Sequence, residues 1–462
     1  MQTLPSDSGP GLVLAPFRGV RYARDRVSGI ANVISPPYDV ISGGILEHLR
    51  AADPHNVVRL ILPGDGSGGS KAAADLLRTW LADGVLIRDP ARSLYLYEQT
   101  ARPAGADGPP AARYYGEERS GLAGGSRGVV PPGLIQRGVI GLVGLGSPGS
   151  AGILPHEDVM PSLVAGRRQL MAAAQANLEP IFLLHSGGTA GTEERVAARH
   201  APLVSVTTED GVTHRLWRLE DPGELAAITA GLAGGRALIA DGHHRYAAYL
   251  GLQAEMRASG LGDGPWDYGL AFLVDSAVYP PRLGAIHRVL PGLPPQRAAE
   301  LAKAAFTVQD LPGGLPLAAA QARLAAAGRE GTAFLLADGS GFRLLSNPDP
   351  VQSAASMPTA ASRAWRRLDA AVLQQLLLGR LWGIADDERT VLIYHDAADA
   401  VRAAAGGGGT AVISNPLPFD AVIQVAEQGE RVPRKSTSFG PKPRTGLVLS
   451  VWDNGGVENA LT

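Results

Sequence analysis

Side chains that could bind an anion or move a proton are concentrated in Asp-Gly-His-His-Arg at positions 241–245. This stretch follows an apolar run over 237–240 that predicts a strand, and it opens a helical pattern over 244–259. The first helical turn presents free backbone N–H groups and the positive dipole end, and an arginine fork there can hold phosphate or carboxylate. We therefore favour an anion site here. The alternative is that Asp241 only caps the helix while the histidines lie on an ordinary polar surface.

A possible proton acceptor, Glu157, follows Leu154-Pro155-His156 and precedes a helical pattern over 167–177. A positioned glutamate can take a proton from a hydroxyl, and His156 beside it can orient a substrate or a phosphate. The chain continues with Asp158, Val159 and Met160, so the second histidine of H-E-x-x-H is absent and a metalloprotease is excluded. The alternative is a solvated helix start with acidic residues near its N-terminus.

A basic, hydroxyl-rich stretch over 433–442 contains Lys435, Ser436 and Thr437. Lysine and hydroxyl groups together can hold phosphate oxygens. The glycines of a Walker loop are absent. We expect Glu157 and the start of the helix at 241–245 to lie together in one cleft, because a base must come within about 3 Å of the hydroxyl that it activates, directly or through one water. We expect the basic stretch to fold back toward this cleft and to add positive charge to it, and a solvated loop is the alternative.

A rigid turn, Pro36-Pro37-Tyr38-Asp39, is a further candidate, with a packing role equally possible. The pair His287-Arg288 on a predicted strand needs no ligand.

Hydrophobic periodicity and Gly/Pro punctuation predict the elements that position these residues. Strands are predicted over 93–99, 138–143, 180–184, 214–219, 237–240, 269–275, 285–290, 390–395, 411–414 and 446–451, with a hairpin over 332–337 and 342–346. Helices are predicted over 45–51, 71–82, 167–177, 222–232, 244–259, 295–306, 317–326, 365–381 and 419–427, and loops over 101–112, 186–191 and 403–409. This alternation indicates an α/β or α+β protein. We place domain boundaries to give 1–133, 134–262 and 263–462, with the middle part as the catalytic domain.

Composition narrows the classes of function. The 462 residues include no cysteine, which excludes thiolate catalysis, Cys-ligated metal and disulfides. With 42 Lys+Arg against 44 Asp+Glu the net charge is -2, so a nucleic-acid partner is not expected. The first residues lack the pattern of a signal peptide, and no apolar stretch approaches the ~18–20 residues that span a bilayer. We therefore expect a cytoplasmic protein with no membrane partner; the oligomeric state stays open.

Taken in order, these segments resemble a bacterial and archaeal family, domain of unknown function 1015. The resemblance rests on Ala15-Pro16-Phe17-Arg18-Gly19, Pro36-Pro37-Tyr38-Asp39-Val40-Ile41, Leu154-Pro155-His156-Glu157, Ala176-Asn177-Leu178-Glu179-Pro180-Ile181-Phe182, Ala240-Asp241-Gly242-His243-His244-Arg245-Tyr246, His287-Arg288 and Lys435-Ser436-Thr437. The chain departs from the family's pattern at two places: Val159 stands where a threonine is common, and Ala285-Ile286 where Pro-Thr precedes the His-Arg pair. If that threonine binds ligand, the departure implies altered specificity.

The central part also resembles the ParB-like free serine kinases, in which a Pro-His-Glu segment precedes an Asp-Gly-His-His-Arg box. This resemblance implies a ParB/sulfiredoxin-like central domain, with further α/β segments on both sides, and Glu157 as the base that activates a hydroxyl. Together with the motifs above, it assigns catalysis to Glu157, His156, Asp241 and His244, and substrate or phosphate binding to His243, Arg245, Lys435, Ser436, Thr437, Tyr38 and Asp39.

The resulting hypothesis is a phosphotransferase that acts on a small hydroxyl substrate, free L-serine, with ADP or ATP as donor and Mg²⁺ bridging its phosphates. No metal site made by the protein alone is expected. Two alternatives remain: a phosphoester hydrolase that acts on phosphoserine, and a nucleotide-dependent binding or scaffold protein without turnover. A shared fold does not decide among them.

Overall fold

A computed structural model describes residues 11–64, 66–101, 134–146, 152–387 and 389–452. Most of the predicted loop over 101–112 lies outside the described residues.

The first half of the chain alternates strands and helices. In order they are β1 (Leu14–Ala15), β2 (Val20–Tyr22), α1 (Ile30–Val33), α2 (Gly43–Ala52), α3 (Val58–Ile61), α4 (Gly66–Ala82), β3 (Leu86–Arg88), β4 (Leu94–Ala101), β5 (Ile135–Gly144), β6 (Ile153–Leu154), α5 (Pro161–Ala174), β7 (Ala176–Asn177), β8 (Ile181–His185), α6 (Ala190–Arg199), β9 (Val204–Thr207), β10 (Val212–Leu219), α7 (Pro222–Leu232), β11 (Ala237–Asp241), α8 (His243–Ala258) and β12 (Tyr268–Asp275). Short 3₁₀ turns cover Arg24–Arg26, Tyr38–Val40 and Pro265–Asp267.

The second half continues the alternation. Its elements are β13 (Arg282–Gly284), β14 (His287–Leu290), α9 (Pro295–Ala302), β15 (Thr307–Asp310), α10 (Leu317–Glu330), β16 (Phe334–Ala337), β17 (Phe342–Ser346), α11 (Pro350–Ser356), α12 (Arg363–Arg366), α13 (Asp369–Val372), a π-helix (Leu373–Trp382), β18 (Leu392–Tyr394), α14 (Ala397–Gly407), β19 (Thr410–Ser414), α15 (Phe419–Glu427), β20 (Ser438–Gly440) and β21 (Ser450–Val451).

Two large sheets organise these elements. The nine-stranded sheet has the order β6-β11-β8-β12-β5-β4-β10-β9, with β1 paired to β5, and it mixes parallel and antiparallel neighbours. Every residue of β8 and β11 is buried, as expected for strands covered on both faces. The six-stranded sheet, β15-β17-β16-β19-β14-β18, is antiparallel throughout. The predicted mixed α/β class is confirmed.

The nine-stranded sheet takes strands from each of the three predicted segments, with β4 from the first, β11 from the second and β12 from the third. The predicted domain boundaries and the ParB/sulfiredoxin-like description of the middle part stay predictions.

Small two-stranded pairings hold the C-terminal segment against the rest. Strand β20 pairs with β13, and β21 pairs with β7 through Ser450 and Asn177. Backbone hydrogen bonds also join Leu449 to Val20 in both directions, at 2.8 and 2.9 Å. These pairings fix the chain on both sides of residues 441–449.

Several predicted elements differ from the structure. The predicted loop over 403–409 is wrong, because α14 extends to Gly407: Asp396 caps its N-terminus and its alanines 397, 400 and 404 pack into the core. The single helix predicted over 365–381 is instead α12, α13 and the π-helix, since the backbone becomes extended at the buried Leu368. The last predicted strand shortens to Ser450–Val451.

Candidate functional site

The turn from β11 into α8 has a backbone conformation that requires glycine. Gly242 has φ +97°, and a Cβ there would lie 2.9 Å from Ile181 Cγ2 and 3.0 Å from Arg245 Nε. Gly242 is also the N-cap residue of α8, and no side chain caps the helix. Asp241 is therefore not a helix cap, so the alternative in which it serves only as a cap is wrong. The first N–H groups of a 16-residue helix remain uncapped.

Asp241, itself buried, lies in an ion cluster that joins three distant parts of the chain. Its Oδ2 accepts a hydrogen bond from Arg245 Nη2, and its Oδ1 lies 2.5 Å from Lys442 Nζ. The same ammonium is 2.6 Å from Asp39 Oδ2. Lys442 therefore ties the Asp39 turn to the end of β11.

Arg245 is engaged within the protein. Its side chain is almost fully buried, and Nη1 donates to the carbonyl oxygen of Pro180 at 2.6 Å while Nη2 binds Asp241. Both terminal nitrogens thus have protein partners. The geometry gives Arg245 a positioning contact, and its predicted role in phosphate binding stays a prediction.

A second hydrogen-bonded chain contains Glu157. The Thr437 hydroxyl donates to Glu157 Oε1 at 2.5 Å, and His156 Nε2 lies 2.9 Å from the Thr437 oxygen. Since the hydroxyl proton points to the carboxylate, we assign the proton of this contact to His156 Nε2. His156 is fully buried, so the alternative of a solvated helix start is wrong. Helix α5 begins only at Pro161.

The two histidines of α8 face the same segment. His243 Nε2 accepts from the backbone N–H of His156 at 3.3 Å, and His244 Nε2 accepts from the N–H of Met160 at 3.0 Å. These contacts assign the ring protons to the Nδ1 atoms. His243 Nδ1 lies 3.8 Å from Glu157 Oε2. The expectation that Glu157 and the start of α8 lie together is confirmed.

The segment that carries Thr437 is fastened to the segment that carries Glu157. The N–H of Val432 donates to the carbonyl of His156 at 2.8 Å, and Arg431 Nη1 donates to the carbonyl of Pro155 at 2.7 Å. Phe439 packs edge-on to the His156 ring at 5.5 Å. The expectation that this C-terminal stretch folds back toward the cleft is therefore confirmed.

Lys435 and Ser436 have different surroundings. Ser436 is buried and donates to the carbonyl of Pro433 at 2.7 Å. Lys435 is exposed, and its φ of +50° is unusual for a residue with a side chain. Among the described residues its ammonium has no hydrogen bond or ion pair, and it lies near enough to His244 and Asp39 to influence both electrostatically.

The turn with Tyr38 and Asp39 borders this cluster. The N–H of Tyr38 donates to Glu179 Oε1 at 3.0 Å, and the Arg167 guanidinium lies 4.3 Å from the centre of the Tyr38 ring. Asp39 reaches Lys442. Tyr38 thus packs between charged groups, while Asp39 belongs to the ion cluster.

Burial and charge set the protonation states. Burial, together with His243, lowers the pKa of His156 to about 3, and burial with Arg431 lowers that of His243 to about 3. Both imidazoles are neutral at neutral pH. Burial also raises the pKa of Asp241, with Asp39 adding to the rise. Burial alone would raise the pKa of Asp39, but Lys442 and Arg245 hold it at about 2.

Sequence reasoning counted Lys442 only among the positive charges of the basic stretch and assigned no role to Glu179 or His395. Lys442 lies in the predicted basic stretch and Glu179 in a segment quoted for the family resemblance. Their positions in these two segments are the signals by which sequence analysis could have found Lys442 and Glu179. His395 is the last residue of the strand predicted over 390–395 and carries no motif.

The described residues contain no group of three or more His, Cys, Asp or Glu side chains placed to hold a metal ion. The carboxylates of Asp39 and Asp241 are bridged by the Lys442 ammonium. In the same part of the chain, no helix combines the length and apolar character that crossing a bilayer requires.

Several solved structures are distantly similar, each over 68% of this chain. A free serine kinase in complex with AMP is 15% identical over 91% of its own chain, with a TM-score of 0.35. A conserved hypothetical protein from Pyrococcus furiosus is 13% identical over 95% of its chain, at 0.33. SbnI with C-terminal truncation, from Staphylococcus aureus, is 12% identical over 87%, at 0.30. Likenesses this distant say nothing of activity. No curated protein matches the chain.

A family model described as Protein of unknown function (DUF1015) matches residues 14–108 and 128–371. The match includes the segments of Glu157 and Arg245, and Lys435 lies beyond it. Since the matched ranges make up more than half of the 462 residues, the chain belongs to the DUF1015 family.

Proposed function

We propose that the protein is a phosphotransferase that moves a phosphoryl group from a nucleoside di- or triphosphate to the hydroxyl of a small acceptor, free L-serine. One observation carries the proposal: Glu157 is held by Thr437 through Oε1, while Oε2 faces the uncapped start of α8. A proton acceptor and an anion-binding helix end thus line one cleft. Phosphoryl transfer needs this combination of positioning and charge stabilisation.

In the proposed step, Glu157 Oε2 accepts the proton of the acceptor hydroxyl. The acceptor oxygen forms a bond to the transferred phosphorus as the bond from that phosphorus to the bridging oxygen of the nucleotide breaks. The nucleotide leaves one phosphate shorter, and the proton on Glu157 passes to solvent.

Thr437 and His156 keep the carboxylate in position. Because burial holds the His156 pKa at about 3, its ring stays neutral and donates through Nε2 to the Thr437 oxygen. The Thr437 hydroxyl can then donate only toward Glu157. This fixed direction leaves Oε2 as the oxygen for the acceptor.

The phosphates of the donor are proposed to bind at the N-terminus of α8, with His243 and His244 in its first turn and Lys435 as the added positive charge. Asp241 binds Arg245 and Lys442 behind this turn. Asp39 also binds Lys442, so the two carboxylates balance the charges of the two cations. Ser436 and Tyr38 support the two flanking loops.

Mg²⁺ remains a prediction of the resemblance, as an ion that neutralises the donor's phosphates. Within the described parts of the chain, no three His, Cys, Asp or Glu side chains are grouped to hold a metal ion, and Lys442 already bridges Asp39 and Asp241. No step is assigned to the ion.

The test is the formation of phosphoserine from L-serine with ADP or with ATP, beside nucleotide consumption without serine. Serine-dependent consumption with matching phosphoserine supports the kinase, and its loss in Glu157→Gln ties it to this site. Nucleotide turnover that ignores every hydroxyl compound would support the binding or scaffold alternative. Release of phosphate from phosphoserine without nucleotide would support the hydrolase.

A further inference from the structure

One end of the six-stranded sheet is joined to the segment that carries Lys435, because Arg288 Nη2 on β14 donates to the carbonyl oxygen of Arg434 at 2.8 Å. Strand β14 lies between β18 and β19 and is antiparallel to both. Its first residue, His287, therefore lies at the same end of the sheet as the last residues of β18 and β19. Those last residues are Tyr394 and Ser414, and His395 follows directly. The N–H of Ser414 donates to His287 Nδ1 at 3.3 Å.

Two polar atoms at this end of the sheet are shielded from solvent without a partner. Neither His395 Nδ1 nor the Ser414 hydroxyl has a hydrogen bond to any residue that the structure describes. Buried polar atoms are almost always paired, and an unpaired one calls for a bound molecule or a role in chemistry. His287 is not in this position, because its Nδ1 already accepts from Ser414.

The charges around His395 come from the proposed site. Burial first, then Lys435 and Lys442, lower the pKa of His395 to about 4, and Glu157 acts on it in the opposite direction. His395 is neutral at neutral pH, and the contact of Arg288 on β14 with the carbonyl of Arg434 places this end of the sheet beside Lys435. A neutral imidazole N–H beside lysines suits an anionic oxygen.

The positions of donor and acceptor decide which anion this is. The donor's phosphates are placed at the N-terminus of α8, and the acceptor hydroxyl at Glu157 Oε2. A small acceptor extends from that hydroxyl away from the donor, because attack is roughly in line with the leaving oxygen.

We propose that His395 binds the carboxylate of the acceptor, so that the substrates are small hydroxy acids and hydroxyamino acids and not simple alcohols. This inference rests on the proposed function and names the acceptor class of the same site. His395 acts as a specificity-determining residue and takes no part in the transfer of the proton or the phosphoryl group.

The experiment measures binding and turnover separately. L-Serine and serinamide, which lacks the carboxylate, are titrated calorimetrically into the wild type, His395→Asn, His395→Leu and a control variant of the exposed His200, His200→Asn. Asparagine keeps a polar group near the position of Nδ1, whereas leucine removes it. We expect the wild type and the control to prefer L-serine by at least tenfold, with most of the preference kept in His395→Asn and lost in His395→Leu.

Turnover then shows which ligand His395 meets. We expect His395→Leu to raise KM for L-serine about tenfold while KM for the nucleotide stays within twofold. A rise confined to the nucleotide, or an unchanged preference for L-serine over serinamide, overturns the inference. If the wild type binds L-serine through His395 but forms no phosphoserine, the inference stands and the proposed phosphotransfer fails. Absence of L-serine binding to the folded wild type also overturns it.

Discussion

The hydroxyl of Thr437 donates a 2.5 Å hydrogen bond to Glu157 Oε1 across 280 positions of sequence. This contact joins the C-terminal stretch to the proposed catalytic carboxylate. Thr437→Val keeps the shape of the side chain and removes the hydroxyl. We expect kcat to fall roughly 10- to 100-fold, since a hydrogen bond to a charged group contributes about 1.5–3 kcal/mol. Thr437→Ser is the matched control, and a drop as deep as that of valine would show that the hydroxyl is not the cause.

Glu157→Gln tests the proton acceptor. The amide preserves the size of the side chain but accepts no proton, so we expect kcat to fall by ~10²–10⁴ while the Kd of the nucleotide changes little. Steady-state rates and nucleotide titration measure the two effects. Activity within about threefold of the wild type would remove Glu157 from the mechanism.

Arg245→Lys tests a positioning role. One ammonium cannot reach both the Pro180 carbonyl and Asp241, which the guanidinium binds through separate nitrogens. We expect the free energy of unfolding to fall by about 1–3 kcal/mol and affinity for donor and acceptor to weaken by similar factors. Chemical denaturation and separate titrations measure this. A loss confined to the donor would identify direct phosphate binding by Arg245.

Lys435→Ala tests the exposed cation beside the cleft. Because Lys435 is exposed and its ammonium has no hydrogen bond or ion pair among the described residues, we expect stability to change by less than ~0.5 kcal/mol. We expect KM for the phosphate donor to rise, and the wild type to lose donor affinity with added salt more steeply than the variant, since one screened attraction is gone. Equal salt dependence in both proteins would place Lys435 on the solvated surface.

We expect the buried His214 to cause part of the decrease in the free energy of unfolding at acidic pH. Burial, with Arg444 adding to it, lowers its pKa to about 3, against an ordinary value near 6.5. Between these values the unfolded chain binds a proton that the folded protein does not. The contribution of the neutral His214 ring to the free energy of unfolding is therefore fully present above about pH 6.5. It is lost as pH falls toward 3, by up to ~1.4 kcal/mol per pH unit.

Urea unfolding between pH 4 and 7 checks this dependence. We expect His214→Gln to have a shallower loss of stability on the acid side than the wild type, whereas His200→Gln, at an exposed position, keeps the wild-type slope. Identical slopes for all three proteins would contradict the prediction.

The sequence alone determined the elements with strong local signals. Helix α7 (Pro222–Leu232) and helix α15 (Phe419–Glu427) match the predicted ranges, because their apolar periodicity and N-terminal proline are local properties. The same holds for the hairpin of β16 and β17 around Asp338-Gly339. The motif over 241–245 stood out because an apolar strand runs directly into polar residues.

Only the tertiary structure decided which hydrogen bonds and ion pairs the side chains of those motifs form. No local sequence pattern shows that Arg245 binds Asp241 and a backbone carbonyl. Nor does one show that Lys442 bridges Asp241 and Asp39, which lies 403 positions before it in the sequence. A side chain's partner depends on which segments the fold packs against it, and sequence patterns report only periodicity and burial. The surroundings of His395 have the same origin, because strands distant in sequence create them.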